Sequence, residues 1–254
     1  MRFDVITLFP EVFPGPLGAG VMGRALSSGG VELQAHDLRA FGLGERRQVD
    51  DVPFGGGPGM VLKPEPLFAA VRAVRALGGT PPEREILLSA HGRPLASDLI
   101  EQLAGAGRVL LVCGRYQGVD ERVHRGLGLE EVSVGDFVVS GGELPAMILI
   151  EAVARRLPGT LGDPESTRDE SFSAAGLEHP HYTRPAVFEG MAVPEVLRSG
   201  DHAGIERWRA EAAQERARRL RPELVPAVAN GAEFEKQHPA LGRRGADARL
   251  GGAP

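Results

Sequence analysis

The sequence predicts an α/β fold: a mainly parallel sheet with interleaved helices over residues 1–158, followed by a small helical region. Three observations predict it. Short apolar runs bounded by turn residues alternate with stretches of helical periodicity, the pattern of strand–helix–strand units. Of the 254 residues, 42% are hydrophobic, enough for a substantial core. Beyond residue 158 the composition turns polar and then helical, which marks a second region.

Arg2–Leu8 reads as the opening strand, with Phe3 and Val5 on one face, and Val31–His36 as a second strand. Between them Pro14, Gly15 and Pro16 break the chain before a short helical stretch. Pro66–Leu77 places Leu67, Ala70, Val71 and Val74 at helical spacing, and Gly78-Gly79 ends it. Glu85–Leu88 and Val109–Cys113 read as buried strands, with a helix over Ala96–Leu103 between them. Glu131–Val134 is a further strand. Leu144–Leu157 is a helix with Leu144, Ile148, Ala152 and Val153 in core positions, stopped by Pro158-Gly159. Residues 159–178 form a flexible interdomain linker. Residues 179–225 form a helical region in which Asp201 caps a helix running to about Leu220. Residues 226–254, rich in Ala, Gly and Pro, are expected to fray.

The net charge is −5, so bulk charge does not announce a nucleic-acid binder and any polyanion site must be local. Only Lys63 and Lys236 are lysines; the other basic residues are arginines, which coding bias explains and which also suit phosphate recognition. Cys113 is the only cysteine, so no intrachain disulfide forms. The N-terminus carries Asp4 and lacks the apolar core of a signal peptide, and no apolar run approaches the ~20 residues of a spanning helix. A cytoplasmic protein with no membrane segment is expected.

Three loops follow three expected strands: Leu88–Gly92, Cys113–Asp120 and Ser133–Pro145. In open α/β sheets ligands sit at the carboxyl ends of strands, and glycines there let the backbone approach a ligand closely. Any one loop alone is a plain turn; three on consecutive strands point to a joint small-molecule site. A dinucleotide fingerprint and a Walker lysine are both missing. Cys113 reads as a buried strand residue, and the seven histidines show no metal-ligand spacing with it. A second constellation is Asp50–Met60. Five of residues 54–59 are glycine or proline, which sets either a tight structural loop or an unobstructed wall over a flat ligand.

These motifs carry a resemblance. Asp-Asp-Val-Pro-Phe-Gly-Gly-Gly-Pro-Gly-Met at 50–60, Gly-Arg-Tyr-Gln-Gly-Val-Asp-Glu-Arg at 114–122, Gly-Asp-Phe-Val-Val-Ser-Gly-Gly-Glu-Leu-Pro-Ala-Met at 135–147 and Pro-His-Tyr-Thr-Arg-Pro at 180–185 stand in the order of one family. From Met1 to about Leu224 the chain resembles the bacterial tRNA (guanine-37-N1)-methyltransferases, TrmD type, of the SPOUT superfamily. The resemblance implies a trefoil-knotted domain, a rare exception to unknotted topology. It also implies S-adenosylmethionine bent within the knot and a homodimer with shared active sites. The substrate is then the anticodon stem-loop of tRNA bearing G36 and G37, and the product 1-methylguanosine at position 37.

Site residues follow by resemblance. Leu88 and Ser89 in the first loop and Gly114, Tyr116 and Gly118 in the second contact the cofactor. In the third, Ser133, Val134, Gly135, Asp136, Phe137, Val138, Val139, Gly141, Gly142, Leu144 and Pro145 do so. Asp51, Gly59, Met60 and Arg184 face the RNA substrate. Methylating guanine N1 requires a base for its proton and a donor for charge developing at O6. The donor is Arg155, whose bland alternative is an i,i+4 pair with Glu151. The base is Glu170, which stands where the family commonly has Asp, or Asp169 beside it. Gln117 replaces the family's usual Glu, a residue tied to magnesium dependence. An amide weakens a hard-cation site, so Mg2+ is expected to matter less or to bind elsewhere. Arg198–Arg221 holds seven arginines against Asp201, Glu206, Glu211 and Glu215, an excess available for phosphates. Two other readings stay open: a SPOUT enzyme acting on another RNA position, and an RNA-binding relative that has lost catalysis.

Overall fold

The computed structural model describes residues 1–78, 80–161, 170–172 and 176–225. The chain divides into two compact units, Met1–Arg168 and Asp169–Pro254.

The first unit is built on a five-stranded sheet in the order β2-β1-β6-β5-β7. Its strands are β1 (Arg2–Thr7), β2 (Glu32–Asp37), β5 (Arg84–Pro94), β6 (Arg108–Cys113) and β7 (Glu130–Ser133). Every pairing among them is parallel. Their carboxyl ends therefore gather on one edge.

Side chains alternate across a sheet, and here both faces are apolar. Val109, Leu111 and Cys113 point into one layer with Phe3 and Val5. Leu110 and Val112 point into the other with Ile6. The first layer is closed by α2 (Gly20–Ser27), α4 (Ser97–Ala104) and α6 (Glu143–Ala154), which supply Met22, Leu99, Leu103, Leu149 and Val153. The short α1 (Pro14–Leu17) adds Leu17. The second layer is closed by α3 (Pro64–Ala76) and α5 (Glu121–Leu127) through Leu67, Val71, Val74 and Val123. Pro64 opens α3, where its missing N–H costs nothing.

In the first unit the structure differs from expectation in four places, the first being Leu144 and Ile148 of α6, expected in the core and instead 59% and 50% exposed. Residues Leu88–Gly92 are not a loop beyond a strand; they lie within β5, which runs on to Pro94. Its pairing with β7 slips between Leu88 and Arg93, both of which face Val132, so the intervening residues bulge out of the ladder. Helix α5 was not anticipated. Asp120 caps it by accepting from the Arg122 N–H, and Gly128 closes it in a left-handed conformation at φ 70°. Asp50–Asp51 (β3) and Val61–Leu62 (β4) form a two-stranded antiparallel ladder that pinches the base of the glycine-rich loop.

On the amino-terminal side of the sheet, Asp4 is fully buried. Arg2 donates two hydrogen bonds to its carboxylate at 2.9 and 3.0 Å, Arg108 donates one at 2.8 Å, and His36 Nε2 lies 2.7 Å away. Burial alone pushes the Asp4 carboxyl up, but these partners outweigh it and hold the group well below the usual carboxylate range. Arg108 also donates to the Val74, Leu77 and Thr80 carbonyls, so one guanidinium ties β1 and β6 to the end of α3.

The second unit contains a hairpin, β8 (Val187–Phe188) with β9 (Met191–Ala192), and the helix α7 (His202–Leu220). Glu189 and Gly190 both take positive φ, 50° and 79°, the mark of a two-residue turn whose twist matches a hairpin. The helix was expected and the hairpin was not. Asp201 occupies the N-cap position of α7, but its side chain accepts no capping hydrogen bond. The Trp208 ring lies 6.2 Å from Tyr182 and 6.3 Å from His179. The expected fraying tail, 226–254, and most of the expected linker lie outside the described residues. Among the described residues no helix is long and apolar enough to cross a membrane.

Candidate functional site

Parallel pairing brings the three candidate loops side by side. Leu88 is in register with Cys113 on one side and Val132 on the other. The chain leaving β6 at Gly114 and the chain leaving β7 at Ser133 therefore start from the two strands that flank β5. Gly114 accepts a backbone hydrogen bond from Gly142 at 2.8 Å, and Arg115 forms a β-bridge with Gly141. A Cβ on Gly114 would sit 3.4 Å from the Leu88 carbonyl, so the second loop rests against the first. Ser133 folds the third loop back on itself: its hydroxyl donates to the Gly135 carbonyl and accepts from the Gly135 N–H, at 3.0 and 3.2 Å.

The glycine-rich stretch joins this cluster through the backbone. Gln117 donates to Met60 at 3.0 Å, Leu62 donates to Gly118 at 3.0 Å, and Asp120 donates to Leu62 at 3.0 Å. Gly59 takes φ +87°, and a Cβ there would meet the Gln117 side chain at 2.8 Å. Gly59 is thus required twice, by its left-handed backbone and by the amide lying over it. Tyr116 also takes a positive φ, 61°, unusual for an aromatic residue and a mark of a turn held by its surroundings.

Leu88, Ser89, Gly114, Tyr116, Gly118, Ser133, Gly135, Gly141 and Gly142 are therefore one neighbourhood. Asp51, Gly59 and Met60 border it through β3, β4 and the Gln117 contacts. Val134 and Asp136 lie within the folded-back turn after Ser133, and Pro145 is buried in the first turn of α6. Phe137, Val138, Val139 and Leu144 are exposed.

Arg155 is the C-cap residue of α6, half-buried, its N–H donating to the Glu151 carbonyl at 3.0 Å. Glu170 belongs to the second unit and is half-buried; Asp169 lies outside the described residues. Arg184 is exposed in the second unit. The arginines of α7 are exposed, apart from Arg216, which is half-buried. Cys113 is fully buried, and burial pushes its thiol well above the ordinary value, with nearby Glu143 adding to the rise against the opposing pull of Arg115. A neutral buried thiol is no nucleophile. Among the described residues no three His, Cys, Asp or Glu side chains stand close enough together to hold a metal ion.

Sequence reasoning missed a charged pair at the centre of this neighbourhood. Glu143, the first residue of α6, is only 5% exposed. It accepts a hydrogen bond from the buried Thr7 hydroxyl at 2.8 Å and lies 3.3 Å from Arg115 Nε. The Arg115 guanidinium also stacks on Phe9 at 4.4 Å and donates to the Ser140 carbonyl at 3.1 Å. An available signal was an acid opening a helix with almost no polar face, since such a helix is buried nearly all round.

Comparison with known proteins follows the same boundaries. A family model described as tRNA (Guanine-1)-methyltransferase TrmD matches residues 1–227. A tRNA (guanine-N(1)-)-methyltransferase of Rhodopseudomonas palustris (strain TIE-1) is 52% identical over 226 residues, covering 89% of this chain and 90% of the relative. One of Moorella thermoacetica is 48% identical over 228 residues, 90% of this chain and 91% of the relative. One of Synechococcus sp. (strain JA-3-3Ab) is 51% identical over 225 residues, 89% and 88%.

Proposed function

The chain belongs to the TrmD family of tRNA (guanine-1)-methyltransferases and is such an enzyme, and from that premise we propose that it methylates N1 of guanine-37 in tRNAs carrying G36-G37, using S-adenosylmethionine. The observation that carries the reading is the meeting of Leu88, Gly114 and Gly142 at the carboxyl edge of the sheet.

That edge suits the cofactor. Its glycines would let the backbone approach an adenine and a methionine moiety closely. Leu88, Ser89, Gly114, Tyr116, Gly118 and the segment 133–145 would hold it. When bound, the cofactor supplies an electrophilic methyl on a sulfonium. The packing is close here: a Cβ on Gly92 would run into the Val132 and Glu131 backbone. That closeness, with loop 114–118 tied to both 60–62 and 142, supports a trefoil-knotted path of SPOUT type.

The chain's own residues do the proton work. Guanine N1 must lose its proton to become nucleophilic. Glu170 removes it, with Asp169 as the alternative carboxylate, and Arg155 stabilises the charge that spreads to O6. Asp51, Gly59 and Met60 border the RNA substrate, and Arg184 with the arginines of α7 meets its phosphates. Residue 117 is an amide lying over Gly59, a poor ligand for a hard cation, so Mg2+ is expected to matter less here or to bind elsewhere.

A homodimer completes the reading, with each active site shared. Phe137 (57% exposed), Val138 (89%), Leu144 (59%) and Ile148 (50%) are apolar side chains on the surface of the first unit. Leu144 and Ile148 stand one helical turn apart on α6, as one stripe. On this reading the enzyme works where its tRNA substrate is, in the cytoplasm.

Transfer of a labelled methyl group to a tRNA transcript with G36-G37 tests the function. Replacing G37 by A abolishes transfer if the reading holds; undiminished transfer to that transcript overturns it.

A further inference from the structure

We propose that Arg115 and Glu143 are positioning residues for the methyl donor: an ion pair anchored on Thr7 that fixes the second and third loops against each other. The inference rests on the reading that these loops hold S-adenosylmethionine.

The geometry is specific. Arg115 lies between Gly114 and Tyr116, and Glu143 directly follows Gly141 and Gly142, so each partner is one or two residues from proposed donor contacts. Arg115 reaches the third loop three times, through its bridge to Gly141, its hydrogen bond to Ser140 and its ion pair with Glu143. Glu143 fastens that pair to the centre of the sheet, because Thr7 ends β1 and is itself buried. The Thr7 oxygen also accepts the Phe9 N–H at 3.0 Å, which holds the ring on which Arg115 stacks. Thr7, Phe9, Arg115 and Glu143 thus close a loop of contacts across β1, β6 and α6.

Gly141 shows that the space is reserved. A Cβ there would collide with Glu143 Oε2 and lie 2.5 Å from Arg115 Nε. The glycine leaves room for the pair rather than only freeing the backbone. Glu143 is also the first residue of α6, where the helix dipole favours an acidic side chain. Both charges lie outside the proposed proton-transfer steps. Their effect is geometric: they hold Gly114 against Gly142, and so fix how the two loops stand to each other.

The test is a calorimetric titration of S-adenosylmethionine into the full-length protein, its Arg115→Gln and Glu143→Gln variants and the double variant, beside steady-state methylation. Each single variant is expected to weaken donor binding about tenfold and to raise KM for the donor in step, with kcat falling less than about threefold. The double variant is expected to lose about twentyfold, far short of the hundredfold product, because the pair acts as a unit. Unchanged donor affinity in the single variants overturns the inference. So do losses that multiply, or a fall in thermal stability with donor affinity of the folded protein intact. If Glu143→Gln does not fold, Arg115→Gln, whose side chain is partly exposed, decides alone by the same split. Failure of the unmodified protein to bind S-adenosylmethionine overturns the cofactor reading itself, a different result from any of these.

Discussion

The Thr7 hydroxyl donates to Glu143 Oε1 at 2.8 Å across 136 residues of sequence, inside the sheet-and-helix core. This one bond joins the end of the first strand to the start of the helix behind the third loop.

Thr7→Val keeps the shape and removes the bond. It leaves Glu143 short of a donor and the Phe9 N–H short of an acceptor, and is expected to cost about 1–3 kcal/mol. Urea denaturation measures it; a loss below about 0.5 kcal/mol contradicts a structural part for the hydroxyl.

Gly141→Ala places a methyl group where Glu143 and Arg115 meet. The expected result is a folded protein with donor affinity reduced at least about tenfold, read by calorimetry. Wild-type affinity would show that the pair can move aside without consequence.

Gly59→Ala separates the two halves of the site. It forces a left-handed residue with a side chain against Gln117, at a strain of about 1–2 kcal/mol. Because Gly59 is assigned to the RNA side, the methyl transfer rate is expected to fall while S-adenosylmethionine affinity stays within about twofold. Equal loss of both measurements moves the residue to the donor side.

The Asp4 cluster sets an acid limit. Its partners hold the carboxyl below its unfolded value of about 3.9, so its stabilisation is complete above that pH and drains as pH falls through the lower folded value. Asp4→Asn leaves Arg108 buried without its counter-charge and is expected to destabilise the protein by about 3–5 kcal/mol at pH 7. Denaturant midpoints between pH 2 and pH 7 check both statements: the loss caused by Asp4→Asn should shrink toward the acid end. A constant difference contradicts the assigned cause.

Much of the first unit was legible. Val109–Cys113 announced itself as a strand by an unbroken apolar run, because both its faces are buried. Pro66–Leu77 announced itself by spacing. Residues Leu88–Gly92 did not, because Gly92 and the polar His91 read as a turn, while in the fold they bulge inside β5 against Val132. Helix α5 was hidden by the motif that contains it: Asp120-Glu121-Arg122 looks like chemistry, yet Asp120 serves as a cap. Glu143 lay in plain sight within a recognised motif. Its role was not legible because burial arises from Thr7 and Arg115, which lie 136 residues before it and on a neighbouring strand end.

The two linker carboxylates yield a sharp contrast. Glu170→Gln is expected to abolish methylation and leave S-adenosylmethionine binding nearly intact, while Asp169→Asn keeps most of the rate. Single-turnover transfer rates check this, and the opposite pattern moves the base to Asp169.

The most direct measurement is nucleoside analysis by mass spectrometry after the full-length protein, S-adenosylmethionine and a G36-G37 tRNA transcript have reacted. The account predicts 1-methylguanosine at position 37 and none from the G37→A transcript. A methyl group on ribose, on another base or at another position contradicts it.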